Sequence, residues 1–426
     1  MAFRTVFLQQ RTDVSGELLS PLDGQRDREV EDDRDVRDPH VALSATEHSG
    51  IAQFTFPAGK PANIVVPISH TLADTEAAEV RVTGDRQIEG YVENHIFCGR
   101  KQTYKVYFTM TFDRPFSSFG TWSGKKYDGP GTITAGSHEA EQSSHDGWTG
   151  AYATWAPEAH DQTVTARIGI SYVDPEGAEN NLKTEVAGKS FAQIRAAAHA
   201  AWNRELSVVD VTGGSKARRT VFYTSLYHSL MMPTIYSDAD GRYPGSDDKV
   251  RTAPAGRLIY ANYSGWDIYR SEVPLLALVE PRRMEDMAQS IVLMYQQGGW
   301  IGRWPQTNRY TNVMVGSPLT VVVATAWLDG LHGFDMNTAW KGMLKDATEA
   351  PSAGKPYMGE EGYPVDQPSP LPTRRQGPLR VRVAVAGGCD CVCFALPACG
   401  GAGKDHRCED AVRARSLLPQ PVRPAG

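Results

Sequence analysis

The chain has 426 residues, 41% of them hydrophobic, 9% aromatic and 22% charged, with a formal net charge of −6. That length can supply the cores of more than one domain. The mild acidity leaves no basic footprint for nucleic acid, and no apolar run is long enough to span a bilayer.

The opening stretch from Met1 to Gln10 is too short and too soon polar for a signal peptide. The chain as written therefore predicts a cytoplasmic protein, or one whose true N-terminus lies upstream. Residues 1–40 carry a mixed-charge run between Glu17 and Pro39 with almost no apolar payload. Such a segment cannot bury enough surface to offset its ordering entropy, so disorder is expected.

From Val41 the texture changes. Short runs rich in Val, Ile, Tyr, Phe and Thr recur between Gly, Pro, Asn and Asp. They include Ile51-Ala-Gln-Phe-Thr-Phe, Asn63-Ile-Val-Val-Pro-Ile, Gln87-Ile-Glu-Gly-Tyr-Val, Tyr104 to Phe112, Gly150 to Trp155 and Thr163 to Val173. Many short alternating runs at close spacing predict an antiparallel β-sandwich, placed at 41–185.

Helical patterns follow over 186–365. Ser190 with Gln193 forms a capping box, and Phe191, Ile194, Ala198, Ala201 and Trp202 share one face. Thr220 to Met232 is apolar on both sides, which predicts a helix buried among others, and places His228 in a core. A third helix is expected from Pro281 to Gln297, with Met284, Met287, Ile291 and Met294 on its buried stripe and Gly298-Gly299 as its stop. Two more are expected from Leu319 to Leu331 and from Asn337 to Thr348. Long, chemically dense loops between helices of similar length suit an α/α toroid better than a tight bundle. The acidic stretch holding Asp238, Asp240, Asp247 and Asp248 reads as solvated turns, because the rest of a calcium-loop pattern is absent.

Residues 366–426 have no period, and their composition resembles an out-of-frame or disordered tail. Five of the six cysteines fall there, from Cys389 to Cys408. They lack the paired knuckles of structural zinc sites, so no metal is assigned to them.

The densest chemistry lies between Tyr263 and Gly316. Tyr263-Ser-Gly-Trp-Asp-Ile-Tyr-Arg precedes the third helix, and Gly299-Trp-Ile-Gly-Arg-Trp-Pro follows it. Indole rings beside planar hydrogen-bonding groups suit sugars, whose C–H faces stack and whose hydroxyls need directional partners. The candidate site residues are Trp266, Asp267, Arg270, Trp300 and Trp304. Trp300 and Trp304 are equally explained as plugs of a helical core, and Asn308 and Asn312 as turn caps.

Taken in order, several motifs resemble glycoside hydrolase family 92, the calcium-dependent exo-acting α-mannosidases. These are Tyr104-Lys-Val-Tyr-Phe with Phe112-Asp-Arg-Pro-Phe, Arg167-Ile-Gly-Ile-Ser-Tyr-Val, Phe222 to Leu230 with Pro233, and the two loops just quoted. The resemblance covers roughly 41 to 365. It implies a β-sandwich followed by an (α/α)6 barrel, only part of which this chain carries. It further implies Ca2+ as cofactor, mannose-containing oligosaccharides or glycoprotein glycans as partners, and inverting hydrolysis of terminal α-mannosides by two carboxyl groups. It places Asp267 against mannose hydroxyls, Trp266 in the pocket wall and Arg270 behind Asp267. The family's acid motif, Gly-Asn-Glu-Pro, and its base motif, Gly-Asn-x-Asp, occur nowhere in the chain. No catalytic residue is therefore identified, and the chain is expected to be inactive as written. Another N-glycan-processing hydrolase, amidase-like, and a non-catalytic carbohydrate-binding protein are the alternatives.

Overall fold

A computed structural model describes residues 39–71, 75–95, 103–125, 132–142, 147–307, 309–311 and 316–349. They lie within the first of two compact units, Met1–Pro368. The expectations for residues 1–38 and 366–426, the tail cysteines, Asn308 and Asn312 fall outside the described residues.

Eleven strands make two antiparallel sheets. They are β1 (His40–Ala45), β2 (Ser49–Phe56), β3 (Ala62–Pro67), β4 (Thr75–Thr83), β5 (Gln87–His95), β6 (Thr103–Phe112), β7 (Ser118–Lys125), β8 (Thr132–Ala135), β9 (Glu139–Gln142), β10 (Gly147–Trp155) and β11 (Gln162–Ser171). One sheet has seven strands in the order β1-β2-β11-β6-β5-β4-β9, and the other has four, β3-β10-β7-β8. The period-2 alternation decides which side chains face inward. Phe54, Phe56, Val80, Ile88, Phe108, Met110, Phe112, Val164 and Ile168 from the large sheet meet Ile64, Val66, Ala153 and Trp155 from the small one.

The large sheet is also covered on its outer face. Ile51 points opposite to its neighbours Ala52 and Phe54, and packs with Leu182, Val186 and Ile194. Leu182 belongs to α1 (Pro175–Glu185), Val186 follows its last residue, and Ile194 belongs to α2 (Phe191–Leu206). Asp174 caps α1 by accepting from Gly177 N at 2.7 Å, and Pro175 opens it. Helix α2 begins with the expected capping box. The approach of α1 to β11 requires Gly169: a Cβ there would lie 2.1 Å from the Ala178 carbonyl oxygen.

Helix α3 (Lys216–Ser229) is a correction. Its apolar residues do not make it a buried helix, since Val221 and Phe222 are exposed and only Leu226 is buried. His228 is likewise exposed. Two small ladders follow, β12 (Thr234–Ile235) with β15 (Tyr260–Ala261), and β13 (Arg242–Pro244) with β14 (Val250–Thr252). The remaining helices are α4 (Gly265–Ile268), α5 (Glu272–Val279), α6 (Pro281–Gly298), α7 (Pro318–Leu328) and α8 (Met336–Thr348). Gly299 stops α6 at φ +87°, a conformation that favours glycine. Met284, Met287, Ile291 and Met294 of α6 pack against Val322, Val323 and Met343 in a second core. Among the described residues, no helix is long and apolar enough to cross a membrane.

Candidate functional site

The two loops expected at the site do meet. The β12–β15 ladder delivers the chain to Asn262, whose φ of +63° turns it toward α4. Asn262 holds both sides of the junction. Its Nδ2 donates to Thr234 Oγ1 at 2.7 Å, and its Oδ1 accepts from Thr307 N at 2.6 Å. Tyr263 is buried and donates its hydroxyl to the Met287 carbonyl at 2.9 Å, anchoring the turn to α6. Gly265 lets the two loops touch, because a Cβ there would lie 2.7 Å from the Arg303 carbonyl oxygen.

At this junction Trp304 Nε1 donates to Ser264 Oγ at 2.7 Å, and Ser264 Oγ donates in a short hydrogen bond to Asp267 Oδ2. Asp267 is exposed, while Trp266 and Trp304 are half-buried. The arrangement holds an exposed carboxylate linked through Ser264 to one indole and next in the chain to another, groups suited to accepting from hydroxyls and stacking on a ring. Arg270 does not stand behind Asp267. Its guanidinium lies 5.6 Å from the Trp266 ring centroid and 5.0 Å from that of Tyr269. Among the described residues it makes no ion pair with Asp267, so Arg270 braces the indole and Ser264 orients the carboxylate. Trp300 is elsewhere: it is 7% exposed, belongs to the helical core and carries Lys345 Nζ 4.5 Å from its ring centroid.

Sequence reading misses Glu272. It opens α5, five residues after Asp267, and its Oε1 is buried with no hydrogen-bond partner among the described residues. Burial, and then the charge of Asp267, push its carboxyl up to about 7. Near neutral pH it exists partly as an acid, able to donate a hydrogen bond as well as accept one. Nothing in the local sequence separates it from an ordinary acidic residue in a first helical turn. Glu280 is also pushed up to about 7, by burial and by Glu205. There Arg283 bridges Glu205 and Glu280 at 3.1 and 3.3 Å, so this second carboxyl serves a structural network at the start of α6.

Two groups of carboxylates and histidine gather closely enough to consider a metal: Glu47, His48 and Glu185, and Glu79, Glu139 and Glu141. Calcium takes six to eight oxygens. In the first group His48 uses Nδ1 on Glu185 at 2.5 Å and Nε2 on the Ser237 carbonyl at 2.7 Å. In the second, Arg81 pairs with Glu79 at 2.5 Å and Glu139 at 3.3 Å, on the exposed β4–β9 edge. Among the described residues neither group fits a calcium cage.

Comparison with known proteins decides the family. Residues 32–171 match the profile described as the glycosyl hydrolase family 92 N-terminal domain, and residues 177–373 match that of its catalytic domain. The chain belongs to glycosyl hydrolase family 92. A family 92 α-mannosidase from Bacteroides thetaiotaomicron superposes with a TM-score of 0.64 at 28% identity, covering 72% of this chain and 41% of that one. The same mannosidase solved with mannoimidazole gives 0.64 at 29%, covering 72% and 39%. An inverting family 92 mannosidase from the same organism shares the fold at 24% identity, with a TM-score of 0.66 over 76% of this chain and 41% of its own. An uncharacterized secreted glycosidase of Arthroderma benhamiae is 22% identical over 193 residues, 44% of this chain and 20% of that protein. This family 92 chain thus spans about two fifths of the length of the solved relatives. Its β-sandwich followed by a helical layer is the family architecture, and the family is one of glycosidases.

Proposed function

We propose that the chain forms a mannose-facing wall of a calcium-dependent, inverting exo-α-mannosidase acting on N-glycan-type termini. The observation that carries the reading is the Trp304–Ser264–Asp267 hydrogen-bond chain, which fixes an exposed carboxylate beside an indole. The similarity to a mannosidase solved with mannoimidazole supports mannose as the sugar. In this reading Asp267 accepts from sugar hydroxyls, Trp266 and Trp304 offer stacking faces, and Glu272 supplies a second hydrogen-bonding carboxyl.

Inversion needs one carboxyl to protonate the leaving oxygen and another to activate water across the ring. The family's two motifs for these roles are absent from the sequence. The chain as it stands therefore binds mannose without turning it over. Calcium would grip vicinal hydroxyls and favour ring distortion when bound. Among the described residues no group of side chains forms a cage for it.

The test is a titration with mannose and mannoimidazole followed by tryptophan fluorescence, beside incubation with an α-1,2-mannobioside in calcium and in chelator. Saturable binding that Asp267→Ala abolishes, with no mannose release in either condition, is the expected result. Absence of binding overturns the sugar reading. Calcium-dependent release overturns the assigned inactivity.

A further inference from the structure

His48 lies in the turn between β1 and β2 and is 8% exposed. Its ring joins three elements. Nδ1 is 2.5 Å from Glu185 Oε1 at the end of α1, and Nε2 is 2.7 Å from the Ser237 carbonyl oxygen in the loop beyond α3. A carbonyl oxygen only accepts, so Nε2 bears a proton. Glu185 Oε2 accepts from His48 N at 3.0 Å and from Thr46 Oγ1, the pattern of an ionised carboxylate. Nδ1 therefore bears the second proton. A neutral imidazole has one N–H and would turn a lone pair on one of these two acceptors.

Burial opposes the charge on His48. The Glu185 hydrogen bond and charge, with the Ser237 carbonyl and Glu47, outweigh it and raise the histidine. Burial likewise opposes the Glu185 carboxylate, and the bonds from His48 and Thr46 outweigh it and hold Glu185 below its usual range. The ionisable groups facing the ring are Glu185 on α1, Glu47 on its own turn and Asp238 on the loop.

Ser237 leads to the candidate site. Its Oγ accepts from Ile259 N at 3.2 Å, and Tyr236 N donates to the Ile259 carbonyl at 2.7 Å. Ile235 pairs with Tyr260 and Thr234 with Ala261 in the next two rungs, and Asn262 then holds Thr234 and Thr307. Ser264, which orients Asp267, is two residues further on. Asp238 secures the same loop from the other side, accepting from Ser171 Oγ at 2.6 Å and Asn181 Nδ2 at 2.9 Å.

We propose that His48 is a positioning residue: its doubly protonated ring clamps Ser237 to the sandwich and, through the β12–β15 ladder, sets the Ser264–Asp267 turn. The role in binding rests on the sugar reading of that turn; the clamp does not. The sign follows from linkage. A histidine raised in the folded state contributes fully below its ordinary value of 6.5, and the contribution is lost as pH rises through the folded value. Glu185, lowered in the folded state, contributes above its ordinary 4.5 and is lost as pH falls through its folded value.

The experiment compares the full chain with His48→Gln at about pH 6 and about pH 8.5, on either side of the histidine range. Amide hydrogen exchange over residues 234–267, corrected for intrinsic rates, and mannose affinity are read together. In the wild type, exchange of Tyr236, Ile259 and Ala261 should quicken roughly tenfold at the higher pH, with a parallel loss of affinity. In His48→Gln exchange should be fast and flat with pH. Nitrogen-15 shifts of the wild-type ring should show both nitrogens protonated at the lower pH, a readout independent of whether the variant folds. A singly protonated ring there, or wild-type protection unchanged with pH, overturns the clamp. Unchanged affinity despite altered exchange overturns the positioning role. Expected exchange without mannose binding at either pH leaves the clamp standing and removes the sugar reading.

Discussion

A carboxyl group that titrates near neutrality beside Asp267 gives the candidate site a pH dependence of definite sign. Glu272 binds its proton more tightly folded than unfolded, because burial and Asp267 disfavour its charge. Its contribution is present below the ordinary 4.5 and is lost as pH rises toward about 7. Glu272→Gln should therefore gain melting temperature relative to the wild type at about pH 8 and not at about pH 4. Parallel thermal melts check this; equal differences at both pH values would count against a raised carboxyl. Asp267→Asn, which removes the neighbouring charge and keeps the shape, should bring the Glu272 titration down, as followed by carbon-13 side-chain shifts. Asp267 stands out in the sequence through the resemblance carried by its Gly-Trp-Asp motif, since by itself an acidic residue at a helix start is ordinary, and the structure sets its carboxylate exposed and bonded to Ser264. Glu272 is not legible, since its environment comes from burial rather than from any local pattern. Asp238 shows the same limit. Its turn-rich neighbourhood reads as solvated, yet it is 4% exposed and held by Ser171 and Asn181, both distant in sequence.

Among elements, strands β1 to β6, β10 and β11 and helices α2 and α6 to α8 are visible in the sequence. Each carries a period, a cap or a stop that acts locally. Helix α1 goes unread although Asp174-Pro175 is a local start signal; what the sequence does not carry is its seat on the sheet, which depends on Asn181 reaching Ile170 and on Gly169 clearing a backbone carbonyl. Strands β8 and β9 have four residues each, and β7 is broken up by Gly and Ser, so their pairing to distant neighbours supplies what their composition lacks. Gly169→Ala should destabilise by about 1–3 kcal/mol, since the added carbon meets the Ala178 carbonyl rather than a side chain that can move. Ile291→Ala, at a position with no exposure in the centre of α6, should cost about 2–5 kcal/mol. Urea denaturation of the two variants beside the wild type measures each loss.

At the scale of the whole molecule, the helical layer shows apolar residues to solvent. Leu278 is 79% exposed, and Val321, Leu328 and Leu344, on other helices of the layer, are also exposed. A large aliphatic side chain exposed to this degree favours association. The chain alone should self-associate at micromolar concentration, and Leu278→Lys should raise its monomer fraction in sedimentation velocity. An unchanged distribution would assign the association to another surface. The seat of α1 on the large sheet carries a different consequence. The two family profiles meet between residues 171 and 177, yet α1 lies beyond that border and covers the sheet before it. Asp174 ties the junction to Arg242 at 2.6 Å, well inside the helical half. The seam between sequence families is thus a mechanical weld, and a gene fusion or a proteolytic nick placed there would divide the chain without separating its halves.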